Sequence, residues 1–136
     1  MFRKIDDSIS VAPQITPAQI AEAAKLGFTF VINNRPEGEE PGQPTGAEIE
    51  AAAAAAGLGY VAIPITHQGF TEAQVAAMGA ALDAASGPVL AFCRSGTRST
   101  LVWALAQGRA GKDFRELARK AEAAGYDLSP IRGFFG

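Results

Sequence analysis

The chain has few of the residues that several common kinds of site require. Its 136 residues include one cysteine, one histidine and one tryptophan. A single cysteine excludes an internal disulfide and a zinc site built from several cysteines. Lysine and arginine number 12 against 14 aspartate and glutamate residues, which gives a formal net charge of −2. That balance provides no general attraction to nucleic acid or to an anionic membrane, so any anion binding must be local.

Long apolar runs are also absent. No window reaches the length needed to cross a bilayer, and the first residues lack the apolar core of a secretory signal. We therefore expect a soluble, cytoplasmic protein, in a reducing setting where a free thiol persists. Apolar residues make up 48% of the chain and charged residues 19%, which is typical of a folded globule. The length suits one domain, residues 1–136.

Segments typical of strands and helices alternate along the chain. An edge strand or small hairpin is predicted within residues 2–12, buried strands are predicted at 28–32 and 88–92, and a further strand at 60–65 is predicted to break or end at Pro64. Three helices are predicted to begin at the capping boxes of Thr16, Thr45 and Thr71, and two more follow the last strand. This alternation predicts an α/β fold with a central, mostly parallel sheet of four to five strands and helices on both faces.

Residues 92–99 carry the most informative chemistry. They have the sequence Phe-Cys-Arg-Ser-Gly-Thr-Arg-Ser, between the last predicted strand and a helix. A strand–loop–helix unit of this kind directs backbone N–H groups and the positive helix end at whatever occupies the loop, here including the sulfur of Cys93. Such surroundings favour the reactive thiolate. A lone cysteine is commonly a core residue, but the residues after Cys93 suit an anion-binding loop better than a core.

The expected roles within this loop differ. We predict that Cys93 is the nucleophile and that Arg98 closes the loop and holds an oxyanion through its planar fork. The other residues predicted to bind the substrate or its anion are Arg94, Ser95, Gly96, Thr97 and Ser99. No residue pattern indicates a metal or another cofactor.

Two further loops should reach the same edge of the sheet, because the carboxyl ends of parallel strands meet there. Residues 33–44 include Asn34 and Arg35, which either contact substrate or brace the cysteine loop, and the frequency of Asn in turns favours bracing. Residues 66–70 include His67, either a proton donor or a polar surface residue. We expect Trp103 to lie in the core.

Three glutamates of the first of these loops have open roles. Glu37, Glu39 and Glu40 could reach the cysteine loop as acids. Glu39 and Glu40 could instead form a solvated face or pair with Arg35 or Arg94.

The cysteine loop resembles two known kinds of active site. Residues 93–99 are similar to the active-site loop of rhodanese sulfurtransferases and to the phosphate loop of cysteine-dependent tyrosine and dual-specificity phosphatases. Those phosphatases place five residues between cysteine and arginine, whereas four separate Cys93 from Arg98.

Most of the chain resembles the beta-lactamase-hydrolase-like family, also described as sulfur transferases, within the cysteine-dependent phosphatase superfamily. The resemblance lies in Asn33-Asn34-Arg35-Pro36, Glu39-Glu40, Gln43-Pro44, Ile63-Pro64-Ile65 and the cysteine loop. It implies a phosphatase-like fold of the phosphotyrosine phosphatase II type. In that family the domain occurs alone or joined to a metallo-β-lactamase-like persulfide dioxygenase, which the resemblance therefore implies as a possible partner.

Sulfur transfer and phosphate transfer both begin with attack by a thiolate. Cleavage of a phosphate ester also benefits from a general acid, which the related phosphatases take from an Asp after an earlier strand. The matching residues 64–70 contain no Asp or Glu. The missing acid and the short loop favour a sulfurtransferase that moves sulfane sulfur from thiosulfate or a persulfide to a thiol acceptor through a Cys93 persulfide. The alternatives are a phosphatase with a Cys93 phosphocysteine and a non-catalytic module that binds an anion or responds to sulfide.

Overall fold

A computed structural model describes residues 2–135 of the chain. The strands are β1 (Arg3–Asp6), β2 (Ile9–Ala12), β3 (Phe30–Asn33), β4 (Gly59–Ala62) and β5 (Val89–Phe92). The helices are α1 (Pro17–Lys25), α2 (Gly46–Ala55), α3 (Glu72–Ala84), α4 (Thr97–Arg109) and α5 (Phe114–Ala123), followed by a 3-10 helix at Ser129–Phe135. None of the helices within residues 2–135 is long and apolar enough to cross a membrane.

The five strands form one sheet in the order β1-β2-β5-β3-β4. β1 and β2 form an antiparallel hairpin, and β2, β5, β3 and β4 run parallel. This confirms the predicted α/β fold and its mostly parallel sheet. Phe92, the last residue of β5, is level with Ala12 on one neighbouring strand and with Asn33 on the other. The residue that follows it, Cys93, therefore leaves the sheet at its centre.

Both faces of the sheet are covered, and each has its own core. Alternate residues of β5 divide between the two cores because successive side chains of a strand point to opposite faces. Val89 and Ala91 belong to the core that includes residues of α4 and α5, whereas Leu90 and Phe92 belong to the core that includes residues of α1 and α2. A strand covered on both sides has a continuous apolar sequence, which is why 88–92 was recognisable. Trp103 is buried in the first core, as predicted.

The helix starts follow the predicted capping chemistry. Thr16, Thr45 and Thr71 each accept a hydrogen bond from the backbone N–H three residues on, and the side chain at that position bonds back to the threonine N–H. The six-alanine run lies mainly within α2. Alanine's high helix propensity accounts for that outcome.

The strand predicted within 60–65 ends before Pro64, which is one of the two outcomes that the sequence left open at this proline. β4 ends at Ala62. Pro64 has no backbone N–H and cannot continue the ladder. The N–H groups of Ile63 and Ile65 nevertheless donate to the carbonyls of Asn33 and Asn34 at 2.9 Å each. These bonds hold the segment after β4 against the loop after β3.

Two aliphatic residues of α1 allow a matched test of this core. Ile20 is fully buried, whereas Leu26, which caps the helix, is 65% exposed. We expect Ile20→Ala to lower the free energy of unfolding by about 2–5 kcal/mol through lost burial and a residual cavity. Leu26→Ala should change it by less than about 0.5 kcal/mol. Urea denaturation of both variants measures the difference, and equal losses would contradict this packing of α1.

Candidate active site

Cys93 lies directly after β5 and is fully buried. Gly96 donates its backbone N–H to the Cys93 sulfur over 3.1 Å. Gly96 also forms the N-cap of α4 with a φ of 91°, in the left-handed region that favours glycine. The loop therefore turns back over the sulfur and presents a backbone donor to it, as predicted for a loop that stabilises a thiolate or its adduct.

The remaining loop residues divide between the rim and the interior. Arg94, Ser95 and Thr97 are exposed, and the Ser95 hydroxyl donates to the Thr97 hydroxyl over 3.1 Å. Ser99 is completely buried, and its hydroxyl donates to the Asn34 side-chain oxygen over 2.8 Å. The donor hydrogen of Ser99 is thus already in use, which differs from its predicted role in binding substrate. Its observed contact joins the cysteine loop to the loop after β3.

Arg98 is held by a carboxylate. Its Nη1 donates to Glu39 Oε2 at 2.8 Å and to the Ile65 carbonyl at 2.6 Å, and its Nη2 donates to Glu39 Oε1 at 2.9 Å. The Glu39 hydrogen bonds are the main cause that raises the pKa of Arg98, and the charge on the nearby Cys93 sulfur acts in the same direction. The Arg98 guanidinium was predicted to hold an oxyanion, but its Nη1 and Nη2 atoms already form a bidentate pair with Glu39.

Glu39 lies between two arginines. Besides its contacts with Arg98, it accepts a hydrogen bond from Arg35 Nε at 2.8 Å. Arg98 first, and Arg35 second, lower the pKa of Glu39 from 4.5 to about 2. Arg35 also donates to Glu40 at 2.9 Å and is the main cause that lowers the Glu40 pKa. Both carboxyl groups are ionised at neutral pH, so neither is a proton donor in the resting site.

Glu37 is also committed elsewhere. Its two carboxylate oxygens accept from the backbone N–H of Gly46, at 3.1 and 2.9 Å, at the first turn of α2. A carboxylate is favourable at a helix N-terminus because of the exposed N–H groups and the helix dipole. Its contacts in the structure are those of a helix cap.

The buried polar residues of the loop after β3 brace the site. Asn34 is fully buried, accepts from Ser99 and donates its side-chain amide to the Ile63 carbonyl over 3.0 Å. Arg35 is 3% exposed and bonds to Glu39, to Glu40 and to the Gln14 side chain. Of the two interpretations open from the sequence, these contacts favour bracing.

His67 lies apart from this network. It is exposed on the loop after β4 and takes part in none of the hydrogen bonds described for residues 2–135. The same part of the chain contains no cluster of three His, Cys, Asp or Glu residues that could ligate a metal. The structure therefore gives His67 the position of a surface polar residue at the edge that carries the site.

Tyr126 and Gln14 contact the cysteine loop and were not among the residues predicted from the sequence. The Tyr126 hydroxyl donates to the Ser95 carbonyl over 3.0 Å, and the Gln14 backbone N–H donates to the Arg94 carbonyl over 3.3 Å. Both lie far from the loop in sequence and belong to no recognisable motif. The order of the strands gives the only available signal for Gln14, since β2 neighbours β5.

The profile of a protein family described as "Beta-lactamase hydrolase-like protein, phosphatase-like domain" matches residues 1–110. The chain belongs to this family. A beta-lactamase hydrolase-like protein from Agrobacterium fabrum is 35% identical over 126 residues, which cover 92% of this chain and 29% of that protein. The chain thus spans less than a third of the length of that relative.

One solved structure supports the same assignment, and a more distant one shows the same fold. A crystal structure of a candidate phosphatase from Neisseria meningitidis is 34% identical, covers 98% of this chain and 94% of its own, and superposes with a TM-score of 0.85. TpbA from P. aeruginosa, solved as a cysteine-to-serine variant in complex with pTyr, superposes with a TM-score of 0.62 at 18% identity, covering 98% of this chain and 89% of its own.

These comparisons confirm the family resemblance and the phosphatase-like fold. They also confirm the expected broad class of enzyme, one that uses a cysteine nucleophile for sulfur or phosphate transfer. Between those two reactions, they support the phosphatase alternative better than sulfur transfer, which they do not show.

The ion pairs of Glu39 with Arg98 and Arg35 can be tested by their pH dependence. The folded-state pKa of Glu39, about 2, is below the usual 4.5, so the unfolded chain binds more protons between these values. The resulting stabilisation is complete above about pH 5 and is lost as the pH falls through 4.5 towards 2. We expect the stability advantage of the wild type over Glu39→Gln to disappear across that interval. Chemical denaturation at a series of pH values measures it, and a constant difference would contradict an ionised, paired Glu39.

Proposed function

We propose that this domain is an enzyme that transfers a group through a covalent intermediate on Cys93, and that the group is a sulfane sulfur. The observation that supports sulfur over phosphate is the state of Glu39. This carboxylate is ionised and bonded to Arg98, so it cannot donate a proton in the resting site. Cleavage of a phosphate ester benefits from a proton donor, whereas sulfur transfer does not need one.

The charge beside the sulfur supports the same choice. Arg98 forms a bidentate ion pair with Glu39, and the pair has little net charge. A phosphocysteine adduct carries up to two negative charges and would have to share Arg98 with a carboxylate. A persulfide on Cys93 carries one negative charge, for which the Gly96 N–H is already in position. The occupied fork therefore fits the smaller and less charged adduct.

The proposed sulfur transfer balances without an added proton. The Cys93 thiolate attacks the outer sulfur of thiosulfate, an S–S bond forms on Cys93, and sulfite leaves with the electron pair of the broken bond. A thiol acceptor, as its thiolate, then attacks the outer sulfur of the Cys93 persulfide and regenerates the Cys93 thiolate. Glutathione persulfide would serve as donor in the same way, with glutathione thiolate as the leaving group.

The setting and partners of this reaction are proposed from the resemblance. A small thiol acceptor would carry the sulfur away, and a persulfide dioxygenase would consume the persulfide that results. We propose that both operate in a reducing cytoplasm, where the single free cysteine would stay reduced.

The second candidate function is a cysteine-dependent phosphatase, which the family and the structural neighbours support. Here the Cys93 thiolate attacks phosphorus, a phosphocysteine forms and the leaving alkoxide takes a proton, after which water releases phosphate. His67 is the ionisable side chain of residues 66–70 and would have to donate that proton from its exposed position.

Paired substrates separate the two reactions. Wild-type protein exposed to thiosulfate or glutathione persulfide should gain the mass of one sulfur atom, and Cys93→Ser should not, because it lacks the thiolate. Intact-mass spectrometry measures the adduct, and release of phosphate from an aryl phosphate is measured on the same preparation. Vanadate-sensitive phosphatase turnover without a sulfur adduct would favour the phosphatase instead. A wild type that reacts with neither substrate would favour a binding module.

Arg98 allows a matched test of the fork. Lysine keeps the charge but cannot bond both oxygens of Glu39 and the Ile65 carbonyl together. We expect Arg98→Lys to slow formation of the Cys93 adduct about 10-fold or more. Arg119→Lys, at an exposed position of α5, is the control and should leave the rate unchanged. Equal rates in the two variants would contradict a role for the fork.

A further inference from the structure

One peptide unit of the cysteine loop makes a hydrogen bond at each end. Its carbonyl, from Ser95, accepts from the Tyr126 hydroxyl over 3.0 Å. Its N–H, from Gly96, donates to the Cys93 sulfur over 3.1 Å. Tyr126 is 9% exposed and lies after α5, outside the three loops at the carboxyl edge of the sheet.

The two bonds are coupled by the geometry of the peptide. A peptide unit is planar and trans, so its C=O and N–H point in opposite directions, and no cis peptide bond occurs among the described residues. Fixing the Ser95 oxygen therefore fixes the direction of the Gly96 N–H. A hydrogen bond to the carbonyl also polarises the unit and strengthens its N–H as a donor.

Tyr126 is itself held in place. The Arg3 guanidinium lies 5.4 Å from the centre of the Tyr126 ring, and Arg3 Nη1 donates to the Ala124 carbonyl over 3.3 Å. On the loop side, glycine at position 96 leaves the space that the phenol needs, since a Cβ there would collide with the hydroxyl. The hairpin, the end of α5 and the cysteine loop thus meet at this ring.

We propose that Tyr126 is a positioning residue for Cys93: its hydroxyl holds the Ser95–Gly96 peptide so that the Gly96 N–H points at the sulfur and stabilises negative charge there. This inference rests on the proposed role of Cys93 as the reacting thiolate. It assigns no contact between Tyr126 and the substrate.

The ionisation of Tyr126 is consistent with this role. Burial is the main cause that raises its pKa, negative charge on the Cys93 sulfur acts in the same direction, and Arg3 opposes both. The phenol therefore keeps its proton at neutral pH and remains a donor. Negative charge on the sulfur also acts to raise the pKa of Arg98, in the first turn of α4, where the Glu39 hydrogen bonds are the main cause.

The test uses the only cysteine of the chain, so that alkylation reports on Cys93 alone. In Tyr126→Phe, the pH profile of alkylation by iodoacetamide should shift to higher pH by about 0.5–1 unit. The reason is that the Gly96 N–H, which donates to the sulfur, is no longer held in place. The matched control is Tyr60→Phe. Tyr60 is the only other tyrosine of the sequence and is half-buried. Its hydroxyl accepts from the Asn33 side-chain amide, and it lies on β4, the edge strand opposite β1. Its profile should coincide with that of the wild type.

An unchanged profile in Tyr126→Phe, or an equal shift in both variants, would overturn the proposal. Its failure is separable from that of the proposed function. A sulfur adduct in the wild type with no shift in Tyr126→Phe rejects the role of Tyr126 alone, whereas a shift in a protein that forms no adduct rejects sulfur transfer alone.

A reciprocal measurement keeps the proposal testable if Tyr126→Phe does not fold. In Cys93→Ser the negative charge of the thiolate is lost, so Tyr126 should ionise at lower pH than in the wild type. NMR titration of the ring resonances measures this, with Tyr60 as the internal control. An unchanged Tyr126 titration would overturn the coupling between the two residues.

Discussion

The carboxylate of Glu39 connects two loops that are otherwise far apart in sequence. It bonds to Arg35 on its own loop and to Arg98 in the first turn of α4. The side chains of Arg35 and Arg98 are 1% and 11% exposed. Burying an arginine without a partner is costly, and this carboxylate is the partner that the two guanidinium groups share. Glu39 therefore fixes both the shape of the site and the charge beside Cys93.

The parallel sheet makes that arrangement possible. β3 and β5 are neighbours, and their carboxyl ends lie level, so the loops that follow them meet above the same edge. Cys93 leaves from the centre of this edge, and its sulfur accepts the Gly96 N–H. The hydrogen bond between Ser99 and Asn34 also joins the two loops. The Tyr126 hydroxyl holds the cysteine loop through the Ser95 carbonyl. The nucleophile thus has fixed surroundings on several sides.

The parts of this structure that follow from local sequence could be predicted. Capping boxes located three helix starts, and the apolar run 88–92 identified β5 because both its faces are buried. Cys93 and Gly96 stood out because strand, loop and helix follow each other directly. Pairings across the chain could not be derived in this way. Glu39 and Arg98 are 59 residues apart, and Tyr126 is 31 residues from the carbonyl it contacts. For Glu39, the sequence favoured a solvated face or an ion pair with Arg35 or Arg94 over an acid, and only the fold shows that Arg98 is a partner as well.

The proposed sulfur transfer depends most on Glu39 being a fixed anion and not a proton donor. NMR titration of its side-chain carboxyl carbon in the folded protein tests that directly. We expect Glu39 to stay ionised down to a pKa of about 2, because Arg98 and Arg35 both bond to its charged form. A Glu39 pKa at or above the ordinary value of 4.5 would contradict an ionised Glu39 held by two arginines, and a value near neutrality would make Glu39 the general acid of a phosphatase.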